Sequence, residues 1–80
     1  MPYRIGIDIG STATKAAVLD GGRVIETLVM PTGFNSVDAS ARTAEALLGR
    51  GYPVEGGTVG ATGYGRVSVP YADKTITEIT

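Results

Sequence analysis

The stretch Ile7-Asp8-Ile9-Gly10-Ser11-Thr12-Ala13-Thr14-Lys15 gathers the residue types in this 80-residue chain that can do chemistry together. An acidic residue near the end of an apolar alternation enters a small polar turn, and a basic residue opens the next segment. Gly10 lets the backbone turn tightly and come close to a ligand. Ser11 and Thr12 present N–H and hydroxyl donors, Lys15 supplies positive charge, and Asp8 can hold a magnesium ion through water. Such a set would cradle phosphates. The same spacing also fits a plain β-hairpin with a polar turn and a solvated Lys15, so spacing alone leaves both readings open. The pattern is not a P-loop, because no Gly-Lys-Ser/Thr follows a second glycine, and not a Rossmann fingerprint, because no helical pattern follows the turn.

Two further candidates lie downstream. In Gly60-Ala61-Thr62-Gly63-Tyr64-Gly65-Arg66 a strand end passes into glycines that flank an aromatic residue and an arginine. Arg66 can reach a phosphate or a carboxylate, although a loop with a solvated arginine explains the same residues. Glu78 is the third. If the segment from Thr75 to Thr80 runs parallel to the first strand, its C-terminal end lies on the side of the sheet where Asp8 and Gly10 sit, the side on which α/β sheets bind ligands. A lone glutamate on a solvated face is the competing reading.

These residues need elements to hold them. Tyr3, Ile5, Ile7 and Ile9 alternate with Arg4, Gly6 and Asp8, the period-2 pattern of a strand, so Asp8 points away from the isoleucine face. Two more β-like runs, Lys15 to Asp20 and Arg23 to Met30, meet across Asp20-Gly21-Gly22, whose glycines suit a tight hairpin turn. Asn35 and Ser36 offer N-caps, Asp38 lies in the first turn, and Val37, Ala41, Ala44, Leu47 and Leu48 keep helical spacing. Gly49 and Gly51 suit the helix C-terminus, and Pro53 prevents continuation. Thr58 to Thr62 reads as a fourth strand and Thr75 to Thr80 as a fifth. The order β-β-β-α-β-β makes one mixed α/β sheet.

Composition narrows the chemistry. With 42% hydrophobic and 19% charged residues the chain is globular in type, and 80 residues allow one small core. It has no cysteine and no histidine, so chemistry must rest on carboxylates, hydroxyls, amines and backbone. A net charge of −1 with scattered Arg and Lys argues against nucleic acid as a partner. No apolar run approaches a signal or membrane-spanning segment, so the expectation is a cytoplasmic protein without membrane contact.

The stretch from Gly6 to Lys15 resembles the first phosphate motif of the actin, Hsp70 and sugar-kinase superfamily. Joined to Ala61-Thr62-Gly63-Tyr64-Gly65-Arg66 and to Ala72-Asp73-Lys74-Thr75-Ile76-Thr77-Glu78-Ile79-Thr80, it resembles one branch: the activator ATPases (component A) of 2-hydroxyacyl-CoA dehydratases and their benzoyl-CoA reductase relatives. The resemblance implies an α/β fold with a mixed five-stranded sheet of order 3-2-1-4-5, the actin-like (ribonuclease H-like) ATPase half-domain. It implies an ATP-dependent activator that passes an electron to a 2-hydroxyacyl-CoA dehydratase or an aryl-CoA reductase. Its family cofactors are ATP, Mg2+ and a 4Fe-4S cluster held between the subunits of a homodimer. Residue by residue, Asp8 corresponds to the magnesium-associated, catalytic aspartate. Gly10, Ser11, Thr12 and Lys15 fall on the phosphate-binding turn, and the Thr-Gly-Tyr-Gly-Arg segment matches the family signature without carrying a catalytic role onto Tyr64 or Arg66. Thr14, Gly63 and Arg66 join the turn as cofactor-binding candidates, and Glu78 joins Asp8 as a catalytic candidate.

The departure from the family is as informative. Family members continue past Thr80 into a second phosphate motif, the cluster cysteines and an adenine pocket, so residues 1–80 are expected to be a truncated N-terminal half-domain, inactive alone. Two rival readings remain: the N-terminal lobe of a sugar or acid kinase, which shares only the turn, and a non-catalytic binding or assembly module. A sheet face left bare should expose an apolar patch and leave the chain marginally stable.

Overall fold

The computed structural model describes residues 3–63 and 69–75. Three strands come first: β1 (Tyr3–Ile9), β2 (Ala13–Asp20) and β3 (Arg23–Pro31). The helix α1 (Ser36–Gly49) follows, then a single 3-10 turn at Val54–Gly56, β4 (Gly57–Thr62) and the two-residue β5 (Lys74–Thr75). The sheet order is β3-β2-β1-β4-β5. β1 and β2 pair antiparallel, as do β2 and β3, whereas β4 runs parallel to β1 and β5 parallel to β4. The architecture is therefore the expected mixed α/β sheet. Of the fifth strand expected over Thr75 to Thr80, everything past Thr75 lies outside the described residues.

Local chemistry explains the joints. Asp20 pairs with Arg23, and the intervening Gly21 and Gly22 have φ of 59° and 82°. A two-residue loop with both central residues at positive φ has the twist that the flanking strands require. Helix α1 starts where the Asn35 side chain accepts a hydrogen bond from the Asp38 N–H at 2.6 Å. It ends in a pair of nested bonds, Tyr52 N–H to Leu47 C=O at 2.9 Å and Gly51 N–H to Leu48 C=O at 3.0 Å. That Schellman closure needs a left-handed residue, supplied by Gly51 at φ 91°.

Register puts the core on one face. Ile5, Ile7 and Ile9 stand opposite Val18, Ala16 and Thr14 on β2, and Ile5 and Ile7 stand opposite Val59 and Ala61 on β4. All of these are buried, together with Leu28 of β3 and Leu47 of α1. Each large apolar side chain among them contributes about 1.5–3 kcal/mol when fully buried. The helix meets this face differently from its apolar spacing. Ala39, Ser40, Thr43 and Leu47 are buried, whereas Val37 and Leu48 are 62% and 61% exposed. Small residues win the contact because they let α1 lie close to the sheet. The Thr43 hydroxyl is satisfied within the helix, donating to Ala39 C=O at 2.8 Å, and Ser40 C=O accepts from Tyr71 Oη at 2.7 Å across the fold.

The opposite face follows from the same pleat. Arg4, Gly6 and Asp8 of β1 stand beside Leu19, Ala17 and Lys15 of β2 and beside Thr58, Gly60 and Thr62 of β4. Gly6 lies between Ala17 and Gly60, so the middle of this face is a trough of about 770 Å³. Its lining is predominantly apolar, as expected of a sheet face left bare, although Arg4, Asp8 and Lys15 also line it. Exposed apolar side chains of β3 extend this face, Val24 beside Leu19 and Val29 beside Lys15.

Candidate functional site

β1 and β4 are parallel and in register from Tyr3–Gly57 to Asp8–Thr62, so their C-terminal ends open at the same edge of the sheet. Asp8 is half-buried there, with Thr62 on one side and Lys15 on the other as register partners. Beyond Thr62, Gly63 has φ 87°, and a Cβ built on it would lie 2.5 Å from Asp8 Oδ1 and 2.5 Å from Ile9 C=O. The backbone at Gly63 is thus pressed against the carboxylate and the strand that carries it, a distance only glycine permits. The first and second sequence candidates meet at this contact.

Among the described residues, the turn between β1 and β2 is hydrogen-bonded within itself and to Thr32 at the end of β3. Gly10 N–H donates to Ala13 C=O at 2.9 Å, and a Cβ at Gly10 would approach that same oxygen to 3.0 Å. Thr32 N–H donates to Thr12 C=O at 2.9 Å, and Thr32 Oγ1 donates to Gly10 C=O at 2.7 Å. The carbonyls of the turn are therefore turned toward the end of β3. Ser11 and Thr12 are exposed, and among the described residues their N–H groups meet no acceptor. Exposed N–H groups without an acceptor in a short turn are the kind of donors that anion-binding turns use.

Thr14 departs from its expected place. Strand alternation puts it on the core face, opposite to Lys15, and it is fully buried. Its hydroxyl lies 2.9 Å from that of Thr32. It therefore supports the turn from beneath and does not present a group to a ligand. Arg66 and Glu78, with Tyr64 and Gly65, lie outside the described residues. Neither Thr32 nor the residue behind it, Arg42, stands out in the sequence; a threonine just past a strand and before Gly33 carries no periodic signal.

Magnesium can be weighed against these residues. Among the described residues no cluster of three or more carboxylates, histidines or cysteines could hold a metal ion. One carboxylate beside a phosphate site is nevertheless what magnesium commonly uses, since it keeps several waters and takes phosphate oxygens as ligands. Asp8 fits that role. An iron–sulfur cluster does not fit, because the chain has no cysteine. Among the described residues no helix is long and apolar enough to cross a membrane.

Known proteins are similar to this chain in sequence and in structure, although no family model matches it. YjiL, an uncharacterised protein of Escherichia coli K12, is 42% identical over 79 residues, which cover 99% of this chain and 30% of YjiL. The 2-hydroxyisocaproyl-CoA dehydratase activator of Clostridioides difficile is 40% identical over 82 residues, covering 96% of this chain and 30% of the activator. Among solved structures, component A of the (R)-2-hydroxyglutaryl-CoA dehydratase of Acidaminococcus fermentans superposes with a TM-score of 0.81 at 32% identity. That match covers 98% of this chain and 31% of component A. The activator of the 2-hydroxyisocaproyl-CoA dehydratase from Clostridium difficile, solved with bound ADPNP, gives a TM-score of 0.78 at 37% identity over 95% of this chain and 29% of its own. Over nearly its whole length the chain is therefore a homologue of the 2-hydroxyacyl-CoA dehydratase activators, with their α/β fold. It spans about 30% of the length of the curated relatives it matches.

Proposed function

We propose that this chain supplies the first phosphate-binding wall of an ATP-dependent activator that delivers an electron to a 2-hydroxyacyl-CoA dehydratase. The observation that carries the reading is the contact of Gly63 with the Asp8 carboxylate beside the exposed Ser11 and Thr12, whose N–H groups meet no acceptor among the described residues. In a fold homologous to an activator solved with ADPNP, that arrangement offers what a triphosphate needs at one end. Ser11, Thr12 and Gly10 bind phosphate oxygens through backbone and hydroxyl donors, and Lys15 adds charge. Asp8 orients the waters of a magnesium ion, which when bound would neutralise the phosphates. The electron-transfer role, the homodimer and its 4Fe-4S cluster belong to the same reading but rest on residues beyond this chain. A cytoplasmic location, a fifth strand over Thr75 to Thr80, an aryl-CoA reductase as the alternative partner, a nucleotide-side role for Arg66 and a catalytic role for Glu78 complete the same reading.

One wall alone binds weakly. Two or three charge-assisted hydrogen bonds contribute roughly 3–9 kcal/mol, whereas association costs about 4–15 kcal/mol before any affinity appears. The test therefore places this chain, residue for residue, in the corresponding segment of the Clostridioides difficile activator. That chimera should bind ADPNP with magnesium. Asp8→Asn should lower magnesium-dependent hydrolysis at least about tenfold with thermal stability retained, and Lys15→Ala should weaken ADPNP binding by a similar factor. Turnover and affinity within about twofold of the unaltered chimera in both variants would reduce the turn to a hairpin.

A further inference from the structure

The turn owes its shape to groups that lie behind it and touch no ligand. Thr32 contributes two of them. Its N–H holds Thr12 C=O at 2.9 Å, and its hydroxyl holds Gly10 C=O at 2.7 Å. A hydroxyl has one hydrogen; with that one given to Gly10, the bond at 2.9 Å to Thr14 must be donated by Thr14. The result is a directed relay, Thr14 to Thr32 to Gly10, in which Thr14 and Thr32 are 0% and 1% exposed. Buried hydroxyls with a single allowed donor direction fix their acceptors firmly, because any other orientation leaves a polar group unpaired.

Thr32 is itself anchored from the helix. Arg42 Nη2 donates to Thr32 C=O at 2.8 Å and Nη1 to Pro31 C=O at 3.1 Å, while Nε donates to Asp38 Oδ2 at 2.9 Å. The planar guanidinium thereby ties the first turns of α1 to the chain leaving β3, which a lysine could not do with the same fork. Gly33, at φ 77°, bends the chain away at once, and a Cβ there would come within 3.3 Å of Arg42 Nη2. A continuous hydrogen-bonded path runs from Asp38 through Arg42 and Thr32 to the carbonyls of Gly10 and Thr12.

We infer that Thr32 is the positioning residue of the phosphate turn: by holding Gly10 C=O it fixes the planar Gly10–Ser11 peptide, so that the Ser11 N–H, which points the opposite way, faces the ligand, with Arg42 holding Thr32 in place. The inference rests on the phosphate-binding reading of the turn. Its structural half is read without any nucleotide.

The test uses three variants. Thr32→Val removes the hydroxyl and keeps the branched shape, Thr32→Ser keeps the hydroxyl, and Thr43→Val deletes an equally buried hydroxyl inside α1 that does not reach the turn. In nuclear magnetic resonance spectra of the 80-residue chain without nucleotide, Thr32→Val should shift or broaden the amides of residues 10–13. Thr32→Ser and Thr43→Val should leave them in place. In the chimera, Thr32→Val should weaken ADPNP binding about tenfold, the worth of one lost buried hydrogen bond, with recovery in Thr32→Ser and no change in Thr43→Val. Unaltered turn amides in Thr32→Val overturn the inference, as does ADPNP affinity equal to that of the unaltered chimera. A chimera that binds no ADPNP overturns the proposed function instead, while the amides of the turn still decide the role of Thr32.

Discussion

Replacing Gly63 by alanine places a methyl group where the structure has no room for one. The added Cβ would sit 2.5 Å from Asp8 Oδ1, 2.5 Å from Ile9 C=O and 2.9 Å from the Ile9 carbonyl carbon. Two of those three atoms are backbone at the end of the central strand, so a rotamer change cannot relieve the overlap. The left-handed conformation at φ 87° adds about 1–2 kcal/mol for any residue with a Cβ. Displacing packed neighbours adds roughly 1–3 kcal/mol. The sum, about 2–5 kcal/mol, is a large share of the roughly 4–12 kcal/mol that a domain of 80 residues commands. Gly6→Ala is the matched control. Gly6 lies in the middle of β1 with nothing within 4 Å of the methyl it would gain, so alanine should be tolerated and add up to about 1 kcal/mol by restricting the unfolded chain. Urea unfolding followed by circular dichroism, with a slope near about 1 kcal/mol per molar, should show Gly63→Ala lowering the midpoint by about 2 M or more. Gly6→Ala should leave it unchanged or raise it. A Gly63→Ala midpoint within about 0.5 M of the unaltered chain would refute the close contact between Gly63 and the strand carrying Asp8.

Two further expectations concern the supports around the site. Burial pushes the Tyr71 phenol up to about 12, partly offset by its hydrogen bond with Ser40, so the folded chain holds this proton after the unfolded chain has released it. Its contribution, on the order of 2 kcal/mol, is present in full below pH 10 and is lost as pH rises to about 12. Unfolding measured across that window should fall less steeply with pH in Tyr71→Phe, and an identical slope would contradict the assignment. Asn35→Ala should lose the 2.6 Å cap to Asp38 and about 1 kcal/mol of stability, while Asn35→Asp should restore most of it; thermal melts of the three chains decide the point.

Backbone-level features of the fold are legible in the sequence because single residues dictate them. Gly21-Gly22 can close a two-residue hairpin, Asn35 can cap a helix, and Ile5, Ile7 and Ile9 can alternate only as a strand. The buried face of α1 differs from its apolar spacing for an energetic reason. Hydrophobic spacing favours Val37 and Leu48, but close approach to the sheet favours Ala39, Ser40 and Thr43, and the Thr43 hydroxyl finds a backbone partner in Ala39 C=O. In the site, Asp8 and Lys15 can be placed on the open face by counting from Ile7. The same count puts Thr14 on the core face, so grouping it with Lys15 sets chemical kinship above the pleat. Thr32 and Arg42 cannot be found that way. Their importance comes from where β3 ends relative to the first turn, a tertiary fact without a local pattern.

The parallel pairing of β1 with β4 also governs the order in which the site can assemble. β1, β2 and β3 are joined by tight turns, so their pairing closes loops of only a few residues at small entropic cost. Thr14, Thr32 and Gly10 all lie in or beside that meander and can come together with it. Gly63 reaches Asp8 only after α1 has crossed the sheet and β4 has found its register against β1, a non-local step of the kind that slows folding. A chain caught partway would own an ordered turn without the wall that confines its carboxylate. On the proposed phosphate-binding reading, it would attract anions without the geometry to discriminate among them, and selectivity would arrive last.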